Sequence, residues 1–279
     1  MPVDRTCLLN GDDLYVADVH CQDPPHGWTE LRPATVFGLV MVRRGLFRGR
    51  IDGVEQLLDP TSVYVERMHS EQQFAHPCGG DVYTELVLSE PQVAALLGGD
   101  PGVPQGLVFT TPPMALAQRL LTARARDGAD PFELAERALA LAAEVLTALA
   151  PARVASGRPV RDADRRRVVD AARVALAADL GLGLEQLGRA VGCSPYHLSR
   201  AFRAVTGEGL AQYRNRLRVT LAMERLTEGE TRLALLAHEL GFTDQAHLTR
   251  VVGRAAGLPP GRLRRLLGPV GNAPSVSAG

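Results

Sequence analysis

The chain has 279 residues, 46% of them hydrophobic, and its 31 acidic side chains are balanced by 31 basic ones, all arginine. That length accommodates two ordinary domains, and the lack of any run of eighteen apolar residues excludes a membrane-spanning helix. Cys7, Cys21, Cys78 and Cys193 are scattered without a CxxC pair, which excludes a disulfide framework or zinc ribbon. Acids stand in MPVDRTCLLNGDD where a secretory signal carries its apolar segment, so the expected location is the cytoplasm.

From 34 to 90, short apolar runs alternate with turn chemistry: TVFGLVMV, RRG, LFRGRI, Asp52-Gly53, VEQLL, DPTS, VYVERM and, further on, VYTELVLS. Asp-Gly between apolar runs is a strong hairpin signal, and the rhythm predicts an antiparallel β-barrel or sandwich. VYTELVLS alternates, with Val82, Thr84, Leu86 and Leu88 on one face and Tyr83, Glu85 and Val87 on the other. Helical periodicity then takes over in MALAQRLLTARAR (114–126) and FELAERALALAAEVLTAL (132–149). Gly128 is placed to stop the first helix and Asp130-Pro131 to start the second. This hairpin, rich in small apolar residues, is suited to pack on the barrel or on a second subunit. Residues 151–160 read as a linker, 161–268 as an all-helical domain, and 269–279 as a disordered tail.

Within the helical domain a single device occurs twice. LEQLGRAVG places Leu184, Leu187 and Val191 on one face, and Gly192 stands where a left-handed residue ends a helix. Ser194 then caps a new helix and Pro195 takes its first position. In YHLSRAFRAV, Leu198, Phe202 and Val205 face inward, which leaves Tyr196, Ser199, Arg200 and Arg203 outward. The second copy repeats this with Leu233, Leu236, Leu240, Gly241, a cap at Thr243 or Asp244, and Leu248 and Val252 inward. Each copy is a helix-turn-helix with an arginine-bearing outer face. LAQYRNRLRVTLAMERL joins them as a helix of roughly 25 Å, a strut suited to hold two recognition helices about one DNA turn, roughly 34 Å, apart. Residues 161–268 carry 18 arginines against 11 acids, whereas the rest of the chain is acidic, and a field of one sign steers a polyanion to that end.

HLSR with Phe202, Gly207, Tyr213, Arg216, Ala222 and Leu226, then LLAHELGF, Asp244, HLTR, Gly257, Pro259 or Pro260 and Arg264, resembles the AraC-type family of transcriptional regulators over residues 165–267. The resemblance implies a DNA-binding domain of two helix-turn-helix units, preceded by a cupin-like regulatory and dimerisation domain over residues 1–150. The implied fold class is α+β: an N-terminal antiparallel β-barrel with a helical hairpin, then two helix-turn-helix units joined by a connecting helix. It further implies a homodimer, an activator, double-stranded DNA and RNA polymerase as partners, and a small-molecule effector in the barrel. Val252 and Gly253 stand where the family commonly has Phe and a basic residue, Leu248 replaces another Phe, and Leu263 replaces an aromatic. A glycine inside a helix costs roughly 1 kcal/mol against alanine, so the second unit is expected to be the weaker one.

By geometry and resemblance together, Tyr196, Ser199, Arg200, Gln245, His247, Thr249 and Arg250 are the candidates for base contact. Arg203, Arg254 and Arg262 are the candidates for phosphate contact. Arg43, Arg44, Tyr64, His69 and His76 lie near predicted strand ends and are the candidate effector contacts. His20, Cys21, His26, His69, His76 and Cys78 are a possible zinc set by residue type, but no HxH pair with a downstream acid is present; no metal or cofactor is expected. GxSxG, HExxH, P-loop and dinucleotide fingerprints are absent too, so the chain is not expected to be an enzyme. Two alternatives stand beside this reading: a barrel that serves only dimerisation or protein contacts, and a metal-binding cupin enzyme.

Overall fold

The computed structural model describes residues 3–22, 24–99, 102–103, 106–149 and 159–268. Residues 151–158 of the expected linker and all of the expected tail lie outside the described residues. In chain order come β1 (Val3–Asn10), β2 (Leu14–Cys21), β3 (Arg32–Pro33), β4 (Phe37–Arg44), β5 (Phe47–Ile51), β6 (Val54–Leu58), β7 (Ser62–Glu66), β8 (Glu71–Ala75) and β9 (Asp81–Leu88). They are followed by α1 (Glu90–Leu96), β10 (Leu107–Phe109), α2 (Pro112–Arg126) and α3 (Pro131–Leu149). The helical region comprises α4 (Pro159–Ala178), α5 (Leu184–Ala190), α6 (Pro195–Thr206), α7 (Leu210–Thr227), α8 (Leu233–Glu239), α9 (Gln245–Ala256) and α10 (Pro260–Leu267).

The strands form an antiparallel six-stranded sheet, β1-β2-β9-β4-β7-β10, and an antiparallel four-stranded sheet, β3-β8-β5-β6. Asp52-Gly53 makes the β5–β6 turn with both residues at positive φ, as the hairpin signal predicts. The alternation in β9 sorts its side chains as expected. Leu86 and Leu88 join β2, β4 and β7 in a core under α2 and α3, while Tyr83 packs with Val40, Val42, Phe47 and Tyr64 between the sheets. The sequence reading starts the strands at 34, but the structure adds the β1–β2 hairpin before it. β1 is exposed over most of its length and has no buried face to leave a periodic signature.

The expected boundary is not a boundary in packing. α4 begins at Pro159, inside the expected linker. Ala115 and Ala123 of α2 belong to the apolar cluster that contains Val169 and Leu176 of α4, Leu217 and Leu226 of α7, Val252 of α9 and Leu263 of α10. α2 therefore faces two ways. Gln118 donates to Met41 O at 2.7 Å and Thr84 Oγ1 at 3.1 Å in the sheet, and Arg119 donates to Thr220 O of α7 at 3.2 Å. Within the chain, α2 and α3 of the hairpin pack on the six-stranded sheet.

Candidate nucleic-acid interface

Each helix-turn-helix is set by local chemistry that the sequence specifies. α5 ends at Ala190 with Val191 as its C-cap, and Gly192 at φ +72° turns the chain; Gly241 does the same after α8 at φ +70°. Ser194 Oγ accepts from His197 N at 3.2 Å, with Pro195 at the first position of α6. Of the two candidate caps in the second unit, Asp244 takes the role, its Oδ1 accepting from His247 N at 2.6 Å. A carboxylate at a helix N-terminus satisfies an orphan donor and meets the positive end of the helix dipole. Glu230 prepares α8 in a similar way: it accepts from Thr231 N and Arg232 N, and its bonds to Arg232 hold its carboxyl down at about 2.

The inward sets fall mostly as read. Leu187, Leu198, Phe202, Leu236, Leu240, Leu248 and Val252 are buried. Leu184 is a correction: it is 44% exposed and, with Tyr196, Ser199, Arg200 and Arg203, lines a groove of about 760 Å³ between the first unit and the start of α7. It is the first residue of α5, where no preceding turn is present to bury it. The substituted positions of the second unit pack well, with Leu248, Val252 and Leu263 all fully buried, and α9 is continuous through Gly253.

α7 carries both units. Phe202 of α6 meets Tyr213 of α7 edge-on, with ring centroids 5.0 Å apart. Arg218 of α7 donates to Leu180 O before the first unit at 2.7 Å, and its guanidinium lies 5.7 Å from the ring centre of Phe242 in the second. Arg214 donates to Leu182 O at 3.1 Å. These bonds run between the two units through one helix, which fixes their relative orientation.

Outward, Tyr196 is 71% exposed, and Arg200, Arg203, Gln245, Arg250, Arg254 and Arg262 are exposed, with Ser199, His247 and Thr249 partly so. Arg200 leans on its own helix, bonding Tyr196 Oη at 3.4 Å with its guanidinium over that ring. His247 Nδ1 lies 3.3 Å from Thr243 N and Oγ1. Among the described residues no carboxylate pairs with Arg200, Arg203, Arg250, Arg254 or Arg262.

The inner side is the reverse. Arg173 of α4 is 1% exposed; it pairs with Asp59 at 2.9 Å, donates to Leu57 O at 3.1 Å and Ser62 Oγ at 3.2 Å, and reaches Tyr213 Oη at 3.2 Å. Tyr213 Oη donates to Asp59 Oδ2 at 2.9 Å. Burial opposes ionisation of Asp59, but the Arg173 guanidinium outweighs it and holds the carboxyl below the ordinary range. Arg216 donates to Thr61 O and Thr110 O and pairs with Glu208. Glu224 receives Arg43 from β4 at 3.3 Å and Arg119 from α2 at 3.0 Å. In the sequence, Tyr213 and Arg216 stand out only as family markers and Asp59 only as turn chemistry; nothing local signals that they meet.

The five effector candidates fall into four settings. Arg43 pairs with Asp18 and with Glu224 of α7, and Arg44 with Glu228, the C-cap of that helix. Tyr64 is buried between the sheets and donates to Gln72 Oε1 at 2.6 Å. His69, at φ +66°, lines a surface cleft with Phe37, Arg67, Met68 and Val93. His76 lies with Cys21 and Asp81. Around Tyr64 the inter-sheet space holds an unforeseen polar set. Glu66 accepts from Gln72 Nε2 at 2.7 Å and is pushed up by burial, while Glu85 pairs with Arg5.

Residues 187–266 match the model of a family described as a helix-turn-helix domain. A putative AraC-like transcription regulator of Streptomyces lividans is 37% identical over 68 residues, 24% of this chain and 22% of that protein. The multiple antibiotic resistance protein MarA of Escherichia coli is 34% identical over 83 residues, 30% of this chain and 65% of that protein. The C-terminal region is a helix-turn-helix domain, similar in sequence to these AraC-like regulators. The helix-turn-helix match begins at residue 187, beyond the last strand, and the chain spans less than two thirds of the length of either relative. Over the whole chain, the crystal structure of ToxT from Vibrio cholerae O395 superposes with a TM-score of 0.36 at 8% identity, covering 92% of this chain and 99% of that one. No helix among the described residues is long and apolar enough to cross a membrane.

Proposed function

We propose that this chain is a sequence-reading, DNA-binding transcription regulator in which α6 and α9 enter successive major grooves. The observation that carries this is a pair of capped helices on one strut, whose outward arginines have no acidic partner among the described residues. An arginine without a carboxylate keeps its five donors for guanine or phosphate. Tyr196, Ser199, Arg200, Gln245, His247, Thr249 and Arg250 are assigned to bases, and Arg203, Arg254 and Arg262 to the backbone. Residues 1–150 are assigned as the regulatory and dimerising unit and 161–268 as the DNA-binding unit. The polar set of Glu66, Gln72, Tyr64 and Glu85 between the sheets supports a small polar effector there. The resemblance supports activation, contact with RNA polymerase and action as a homodimer; a matched stretch of Btr, a Bacillus subtilis protein described as a transcriptional activator, agrees with that sign.

The test is selection of bound fragments from randomised duplexes by the full chain, followed by a salt titration on the selected site. The expected result is one enriched motif and an affinity whose logarithm falls linearly with log salt. Failure to hold any duplex in a salt-sensitive way overturns the proposal.

A further inference from the structure

Cys21 ends β2 and Asp81 opens β9, and the two are register partners across the sheet. His76 follows β8, its backbone N and O both hydrogen-bonded to those of His26. Three strand ends thus converge at one end of the space between the sheets. One ligand atom each from Cys21, His76 and Asp81 lies within 4.8 Å of the others. The Asp81 side chain has no exposed surface, that of His76 is 12% exposed, and Cys21 is 8% exposed.

The carboxylate of Asp81 and Nδ1 of His76 have no hydrogen-bond partner. His76 Nδ1, though 2.7 Å from Asp81 Oδ2, is not aligned for a bond to it. A carboxylate taken out of water without donors calls for a cation at bonding distance. The backbone is built to bring the groups this close: a Cβ on Gly80 would stand 2.4 Å from Cys21 O, so only glycine fits beside Asp81.

We infer that Cys21, His76 and Asp81 form a binding site for one zinc-class divalent metal ion per chain. Thiolate and imidazole favour a borderline-soft ion over magnesium or calcium, which take oxygen ligands. Bonds of about 2.0–2.3 Å place tetrahedral ligands roughly 3.3–3.8 Å apart, so the widest separation closes by about 1 Å while the His76–Asp81 pair, at 2.7 Å, opens by roughly 0.6 Å or more. As the sulfur–metal bond forms, the Cys21 Sγ–H bond breaks and its proton passes to the buffer, with no change of oxidation state. The nearby Cys78, two residues from His76 in sequence, is exposed and stands outside the group.

The test uses the reduced, chelator-treated full chain titrated with Zn(II) and, for its spectrum, Co(II). One equivalent binds, and the Co(II) form shows a thiolate-to-metal charge-transfer band. Cys21→Ser abolishes the band and Cys78→Ser keeps it. Should Cys21→Ser fail to fold, His76→Gln carries the same test, with an expected loss of metal affinity of roughly tenfold or more. No stoichiometric uptake by the wild-type chain, a band that follows Cys78, or unchanged affinity in a folded His76→Gln chain overturns the assignment.

Discussion

On the outer faces of α6 and α9, Arg200, Arg203, Arg250 and Arg254 stand in solvent with no carboxylate partner among the described residues, whereas on α4 and α7, Arg173, Arg216 and Arg218 are enclosed by carboxylates and carbonyl oxygens. Both regions use one residue type at helical spacing. The difference lies in what faces them: Asp59 meets Arg173, Thr61 and Thr110 meet Arg216, and Leu180 O meets Arg218, whereas among the described residues no carboxylate meets the outer ones. A buried guanidinium must be paired, since removing one partner strands the other charge. An exposed and unpaired one holds its charge for a phosphate or a guanine. The same chemistry therefore serves as an internal clamp on one side and as a recognition surface on the other.

The largest effect is expected from breaking the clamp. Arg173→Ala leaves Asp59 buried beside Tyr213 without its cation and should cost about 3–5 kcal/mol in denaturant unfolding; a cost under about 1 kcal/mol removes the distinction between the two arginine classes. Arg200→Ala is expected to leave unfolding within about 0.5 kcal/mol of wild type while weakening a cognate duplex by about 1–3 kcal/mol. Unchanged gel-shift affinity takes Arg200 off the reading face. Arg254→Ala is expected to weaken cognate and random duplexes alike and to lower the salt slope by about 1; a change confined to one base position reassigns it. The smallest effect is on the helix itself. Gly253 has open space where a Cβ would sit and its φ is not positive, so Gly253→Ala should raise stability by up to about 1 kcal/mol and leave DNA affinity alone.

Acidity offers a further way to separate the two faces. The depressed Asp59 carboxyl contributes fully above the ordinary carboxylate range near about 4. That contribution is lost as pH falls through its lower folded value. Asp59→Asn should flatten this acid limb of the stability curve, and Arg200→Ala should not.

The helix-turn-helix units are legible in the sequence because what makes them is local. Ser194, Pro195, Gly192, Gly241 and Asp244 act on backbone groups within three or four residues of themselves, so their order along the chain specifies their geometry. β4 to β7 and β9 are legible for the same reason, through turn chemistry and the alternation of β9, whereas β8 and β10 fall outside the apolar runs. Leu184 departs from its expected burial because the apolar period continues to the first residue of α5, where a helix end no longer buries what the period predicts. The effector candidates rest on nearness to strand ends, and β4 carries Arg43 and Arg44 onto α7 instead.

By itself the sequence determined the antiparallel strands, the two capped units, the connecting helix and an arginine-bearing outer face. Only the tertiary structure decided which arginines find acids, that α2 serves both halves, and that His76 meets Cys21 and not Cys78. Asp59 and Arg173 are 114 residues apart and Arg43 and Glu224 are 181. No period or cap encodes a partner at that distance. It is chosen by how two apolar faces close on each other, after which a buried charge is held by whichever opposite charge the closure has brought within reach.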